Sequence, residues 1–365
     1  MSRCLVFALA AFVANAAQGV CEAGDATCKA GKKIVNYYPN KDYMESNGFG
    51  LDTILNQVNL AMSHDSGCRW EKYKGSGRKL TEKTADEIIS HGAVTQDLSL
   101  ADQFKAGVRV FDIRSDEDGV IYHSFGALQK HYKFANIQEE IYAFAVRVCL
   151  SEDFALFKFK GSTKAMEKVK DAIQNFAVGY TQDEAAQKVV EEFKKSKENV
   201  KQAIEDCQNQ ILLPAAEFDA STTTIRALQK KIVVMNDKAE KKEKSEWKKS
   251  MKLEKIEINA FKKWLGGVPG KLVEKFAKKC KKGGYLRLGF THTGFPRFTR
   301  AFKELRSPLC MAYRNDDLIQ EKIKEVLQQT IGPDTCRIIF STDGTGDMLD
   351  KKHDVVDEKC PDPEK

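Results

Sequence analysis

Residues 107–125 read GVRVFDIRSDEDGVIYHSF. The runs Gly107–Ile113 and Gly119–Tyr122 are apolar, rich in β-branched and aromatic residues, and too short for helices. Each is therefore expected to be a buried strand. Both end on polar chemistry: Asp112 and Arg114 close the first, and His123 comes after the second. Similar runs lie at Gln57–Met62, Phe154–Phe159, Lys231–Met235, Tyr285–Phe290 and Arg337–Phe340. Helical patterns separate many of them. Residues 136–149 place Ile137, Ile141, Phe144, Ala145 and Val148 on one face. Residues 181–210 open on a capping-box-like Thr181 and Glu184, and residues 318–329 form a third helical stretch. Strands alternating with helices predict an α/β fold with a parallel sheet. Seven or eight strands in about 290 residues fit a closed or nearly closed β/α barrel.

The rest of the chain frames that barrel. Its 365 residues allow two domains, but one barrel accounts for most of the length. A mean hydropathy of −0.46 excludes a polytopic membrane protein. Residues 1–16 read as a secretory signal: Arg3 precedes the apolar run Leu5–Val13, and Ala14-Asn15-Ala16 fits a cleavage site. The barrel is expected over residues 17–350, with a polar tail over 351–365 and a secreted or luminal location. Ten cysteines, widely scattered and without a C-x-x-C pair, argue against a zinc ribbon and for several disulfides. Cys21 and Cys28 could close one short loop; the pairing is not otherwise fixed by the sequence.

The net charge of +7 does not argue for a nucleic-acid partner. It is unevenly placed. Lys238–Lys282 holds sixteen Lys against six Glu, a net +10, with Trp247 and Trp264 inside it. The expectation is a lysine-rich helical insertion. Its plain reading is a solvated, salt-bridged helical face packed on the barrel. Its sharper reading is a peripheral docking element for an anionic membrane, with a Trp at the interface.

The chemistry stands just past the strands. Ser63-His64-Asp65-Ser66-Gly67 comes after the first run, Lys160 ends the fourth and Asp343 lies beyond the last. In a β/α barrel the C-terminal strand ends converge on one mouth. Two of six histidines stand there, beside Asp65, Asp112 and Arg114. One His can serve as general base and the other as general acid. An Arg fork can hold a phosphate and offset charge in the transition state. Such a set suits phosphodiester cleavage.

The phrases NLAMSHDSGC (59–68), AGVRVFDIR (106–114) and VIYHS (120–124) together resemble the X-domain of phosphatidylinositol-specific phospholipase C in its bacterial-type, metal-independent form. The resemblance is clear over residues 59–160 and faint beyond. It implies a distorted, incompletely closed TIM-like barrel acting on an inositol phospholipid. By its terms His64 is the base that takes the inositol 2-hydroxyl proton, and His123 is the acid that protonates the leaving glycerol oxygen. Arg114 binds the phosphate, and Asp65 couples to Arg114 and assists acid catalysis. Asp112, near the site floor, and Lys160 bind the substrate, Lys160 by contacting inositol, and Asp343 orients the base. The calcium-dependent relatives carry acidic ligands where Asp112-Ile113-Arg114 stands here. Arginine there works against an oxygen-liganded cation, so neither a metal nor another cofactor is expected. Asn236-Asp237-Lys238 and Thr291-His292-Thr293 depart from the family pattern. A different headgroup, such as a glycosylated inositol lipid, stays open, as does a catalytically silent binding barrel.

Overall fold

Eight strands form one sheet in which each neighbouring pair is parallel. The structure is a computed structural model that describes residues 51–58, 60–69, 95–96, 98–125, 130–238, 244–254, 285–290 and 337–342. The strands are β1 (Leu60–Ser63), β2 (Val108–Arg114), β3 (Val120–Phe125), β4 (Lys130–Asn136), β5 (Ala155–Lys160), β6 (Leu212–Leu213), β7 (Ile232–Asn236), β8 (Leu253–Glu254), β9 (Tyr285–Phe290) and β10 (Arg337–Thr342). Across the sheet the order is β6-β7-β5-β2-β1-β10-β9-β8. From β8 through β1 to β7 this is the cyclic order of a β/α barrel. Among the described residues the end strands β6 and β8 do not pair, so the barrel is incompletely closed.

Alternation along the central strands divides their side chains between two cores. Ala155, Phe157 and Phe159 of β5, with Ile232 and Val234 of β7, join an outer core beneath the helices. Leu156, Val233 and Met235 join an inner core with Leu60, Met62, Val110 and Ile339. Above that inner apolar layer, the same faces of β2 and β5 carry Asp112, Arg114, Lys158 and Lys160. The register pairs Asp112 with Lys158 and Arg114 with Lys160.

The outer layer is organised by the helix α2 (Ile137–Leu150), preceded in the described chain by the short α1 (Leu100–Lys105). The expected pattern at 136–149 is observed with a capping box: Asn136 accepts from the Gln138 N–H, and Glu139 reaches back to the Asn136 N–H. The expected single helix over 181–210 is instead α5 (Glu184–Lys194) and α6 (Val200–Gln208), after α3 (Thr163–Gln174) and α4 (Phe176–Gly179). Asp183, not Thr181, caps α5. The break lets Val189 and Val190 on one helix and Ile204 on the other join the same outer core, and both helices contact α2.

Two expectations are corrected here. Gly119–Tyr122 is not a barrel strand: β3 pairs antiparallel with β4 in a separate hairpin. The Asp116 carboxylate accepts from the N–H groups of Asp118 and Val120, and Gly119 adopts φ +80, so the chain reverses at once after β2. A parallel neighbour would need a crossover of roughly a dozen residues. Nor is the lysine-rich segment simply a helical insertion. Its described part contains the five-residue α8 (Glu246–Ser250), after α7 (Ile225–Leu228), and then β8, a strand of the sheet itself. Trp247 is fully buried in the inner core, so it does not stand at an interface. The signal, Cys21, Cys28, Trp264, residues 255–282, His292, residues 318–329, Asp343 and the tail lie outside the described residues.

Cys149 and Cys207 form a disulfide that ties the last turn of α2 to α6 across 58 residues of chain. Cys68 is buried as a thiol. Closing a loop of that length restricts the unfolded chain. Replacing both Cys149 and Cys207 by Ser is expected to lower unfolding free energy by about 2–4 kcal/mol, read from denaturant midpoints. An unchanged midpoint would mean that helix packing alone secures α6.

Candidate active site

The loop that carries His64 begins one residue past β1. Ser63 pairs in register with Phe111, which sets His64 beside Asp112 on the neighbouring strand. The loop is held by its backbone: the Ser66 N–H donates to the Asp112 carbonyl, and the Cys68 N–H to that of Asp65. Side chains add to this. Gln96 donates to the His64 carbonyl at 2.8 Å and Gln103 to the Ser66 carbonyl at 2.7 Å. Ser63 and Ser66 hydroxyls lie 2.6 Å apart. Asp65 sits at φ +46, the left-handed region that Asp tolerates better than most residues. That turn directs its carboxylate inward, where it is almost wholly buried.

His123 reaches the same place from the hairpin. Its Nε2 lies 2.9 Å from Asp65 Oδ2. Gly67 permits the approach, because a Cβ there would fall 2.5 Å from Ile121 Cδ1 and 3.1 Å from its Cγ2. The hairpin thus packs directly on the loop that carries His64.

Arg114 binds the parts together. Its Nη2 lies 2.5 Å from Asp65 Oδ1, 3.0 Å from Asp112 Oδ2 and 3.3 Å from His64 Nε2. Asp112 gives its other oxygen to Lys158 Nζ at 3.1 Å. Lys160 Nζ stands farther off, 3.9 Å from Asp112 Oδ2, and is part-exposed. Of the residues singled out from sequence, His64, Asp65, Asp112, Arg114, His123 and Lys160 are therefore together in one cluster. Lys158 was missed. The signal was the F-K-F-K run of β5, whose two lysines share a face at i, i+2.

The electrostatics arise from burial and pairing. Burial alone would raise the Asp65 carboxyl, but Arg114, His64 and His123 outweigh it and hold it well below the ordinary range. Burial opposes ionisation of Asp112 likewise, and Lys158, Lys160 and Arg114 reverse the balance. Burial works against the Arg114 charge, yet Asp65 and Asp112 raise its pKa above the usual value. Tyr122, at the rim, has its phenol pushed up by burial.

His64, Asp65 and Asp112 are also a group of potential metal ligands, with donor atoms within 4.8 Å of one another. The Arg114 guanidinium contacts all three, placing a fixed positive charge among the donors. Beyond Lys160 opens a cleft of about 670 Å³, walled by Tyr122, Lys133, Lys160, Asp237 and Lys238 among others. Gly161 sits on its rim, where a Cβ would lie 2.8 Å from the Ser115 carbonyl.

No family model matches the chain, and no curated protein matches it. Among solved structures it is similar to bacterial phosphatidylinositol-specific phospholipases C. A variant of the Staphylococcus aureus enzyme matches at 15% identity and a TM-score of 0.44, over 86% of this chain and 97% of its own. The Listeria monocytogenes enzyme matches at 12% identity and a TM-score of 0.43, over 86% and 98%. At such values the chemistry has to be judged from this chain's own side chains.

The depressed carboxyls make a pH prediction. A group whose pKa is lower folded than unfolded stabilises the fold above its unfolded value and ceases to as pH falls through its folded value. Asp65 and Asp112 are both of this kind. Stability should therefore decline as pH falls below about 4, the unfolded carboxyl value, and keep declining well below it. Asp112→Asn should be less stable at neutral pH and should flatten that decline; an equally steep acid limb in denaturant titrations would assign it elsewhere.

Proposed function

We propose that the chain is a phosphodiesterase that cleaves phosphatidylinositol-type lipids to diacylglycerol and inositol 1,2-cyclic phosphate. The observation that carries this reading is the convergence of two histidines and one arginine on the single buried carboxylate of Asp65. His64 takes the proton of the inositol 2-hydroxyl. That oxygen attacks the adjacent phosphorus, the bond from phosphorus to the glycerol oxygen breaks, and His123 gives that oxygen its proton. Because the nucleophile is already in the substrate, the step gains from proximity and needs no external attacker.

Arg114 faces the charge that develops on the phosphate oxygens, in a largely water-excluded place where such stabilisation is strong. Asp65 orients both Arg114 and His123. Asp112 has no exposed surface, so it acts through the cations it holds and not by touching substrate. Lys160 lines the cleft, and its proposed role is contact with the headgroup. Asp343 remains a candidate for orienting His64. A metal is not required, since Arg114 supplies the positive charge that a cation would.

The first test is product analysis on phosphatidylinositol vesicles. Inositol 1,2-cyclic phosphate should form at the same rate with and without chelator. His64→Ala and His123→Ala should each lower turnover roughly 10²- to 10⁴-fold. A chelator-sensitive rate would overturn the metal-free mechanism, and no product from the folded protein would favour a silent binding barrel.

Membrane contact is proposed for the basic segment without Trp247. Lys238, Lys244, Lys249 and Lys252 are exposed. Lysines near an anionic leaflet contribute about 1 kcal/mol each. Reversing the charge of Lys244, Lys249 and Lys252 together should weaken binding to anionic vesicles at low salt; unchanged binding would leave a solvated face.

A further inference from the structure

Lys158 is 1% exposed, and no step proposed above uses it. A lone strand-to-core contact would call for an apolar side chain, since burying an ion pair seldom gains stability over apolar packing of similar volume. Its surroundings are instead built for charge. Lys158 Nζ lies 3.1 Å from Asp112 Oδ1 and 3.4 Å from Asp237 Oδ2. Each carboxylate divides its two oxygens. Asp112 gives Oδ1 to Lys158 and Oδ2 to Arg114. Asp237 gives Oδ2 to Lys158 and accepts the Ser245 hydroxyl on Oδ1 at 2.9 Å. A carboxylate held at both oxygens cannot rotate about its last bond. The chain Ser245, Asp237, Lys158, Asp112, Arg114 thus runs from the start of α8, across the ends of β7, β5 and β2, to the guanidinium.

We propose that Lys158 is a positioning residue that locks the Asp112 carboxylate, and through it the Arg114 guanidinium, in the orientation that receives a phosphate group, with Asp237 and Ser245 anchoring the lysine. The inference rests on Arg114 being the phosphate-holding group. It also joins the cleft to the reactive centre, because Asp237 lines the cleft wall.

The test measures affinity for inorganic phosphate by calorimetry on the whole protein, beside turnover of phosphatidylinositol. Lys158→Met should weaken phosphate binding about tenfold and lower turnover similarly. Asp237→Asn separates positioning from simple charge. Removing a negative group near an anion site should tighten phosphate binding if only charge matters, whereas loss of the anchor should weaken it severalfold. Ser245→Ala should weaken it in the same direction, and less. Equal or tighter binding by Asp237→Asn overturns the proposal, even if Lys158→Met does not fold. A wild-type protein that binds no phosphate overturns it too. Phosphate binding without phosphatidylinositol cleavage overturns the catalytic reading alone and leaves the relay standing.

Discussion

Arg114 shared between Asp65 and Asp112 is the contact on which the mouth of this barrel depends. Both carboxylates are cut off from water, and a buried charge without a partner costs several kcal/mol. The guanidinium answers both at once with a single nitrogen. Because Asp65 comes from the loop after β1 and Asp112 from β2, the pair of contacts also fixes the loop to the sheet. His64 and His123 then take their places around a centre whose two carboxylates are offset by Arg114 together with Lys158.

That centre can exist because of what lies under it. The inner faces of β1, β2, β5 and β7 are apolar in their lower rows, where Leu60, Met62, Val110, Leu156 and Val233 close the barrel to water. One strand row higher the same faces turn to Asp112 and Lys158, and the next row to Arg114 and Lys160. A parallel register without crossovers between rows puts like rows side by side, so acid meets base where Asp112 faces Lys158, and two cations, Arg114 and Lys160, stand together in the row above. The charge layer is a continuation of the strand pattern, not an addition to it.

Much of this was legible in the sequence. The seven apolar runs became strands, because short runs of β-branched and aromatic residues are most readily buried in a sheet. The residues just past β1 and at the end of β2 were found because strand ends point to one mouth. Other features were not legible for physical reasons. The run at Gly119–Tyr122 says strand but not which partner, and the Asp116 turn that reverses the chain decides it. Trp247 in a lysine-rich stretch reads either as an interfacial residue or as one packed on the barrel. In the fold its lysine neighbours Lys244 and Lys249 are exposed while the indole fills the inner core. Lys158 carries no signal of its own outside the F-K-F-K run, and only Asp112 and Asp237, 46 residues before it and 79 after, account for its burial as an ion.

Gly67 has no functional atom to offer, yet it sets how closely two elements of the cluster approach each other. The loop bearing His64 and the hairpin bearing His123 meet at its bare α-carbon, against Ile121. The two imidazoles belong to separate elements, one on the sheet and one beside it. Among the described residues no ladder of backbone hydrogen bonds runs between loop and hairpin to space them. Their separation rests instead on this packing contact and on the Asp65 carboxylate that His123 Nε2 reaches from the hairpin. The spacing of two histidines in one cluster thus answers to a position that carries no side chain of its own.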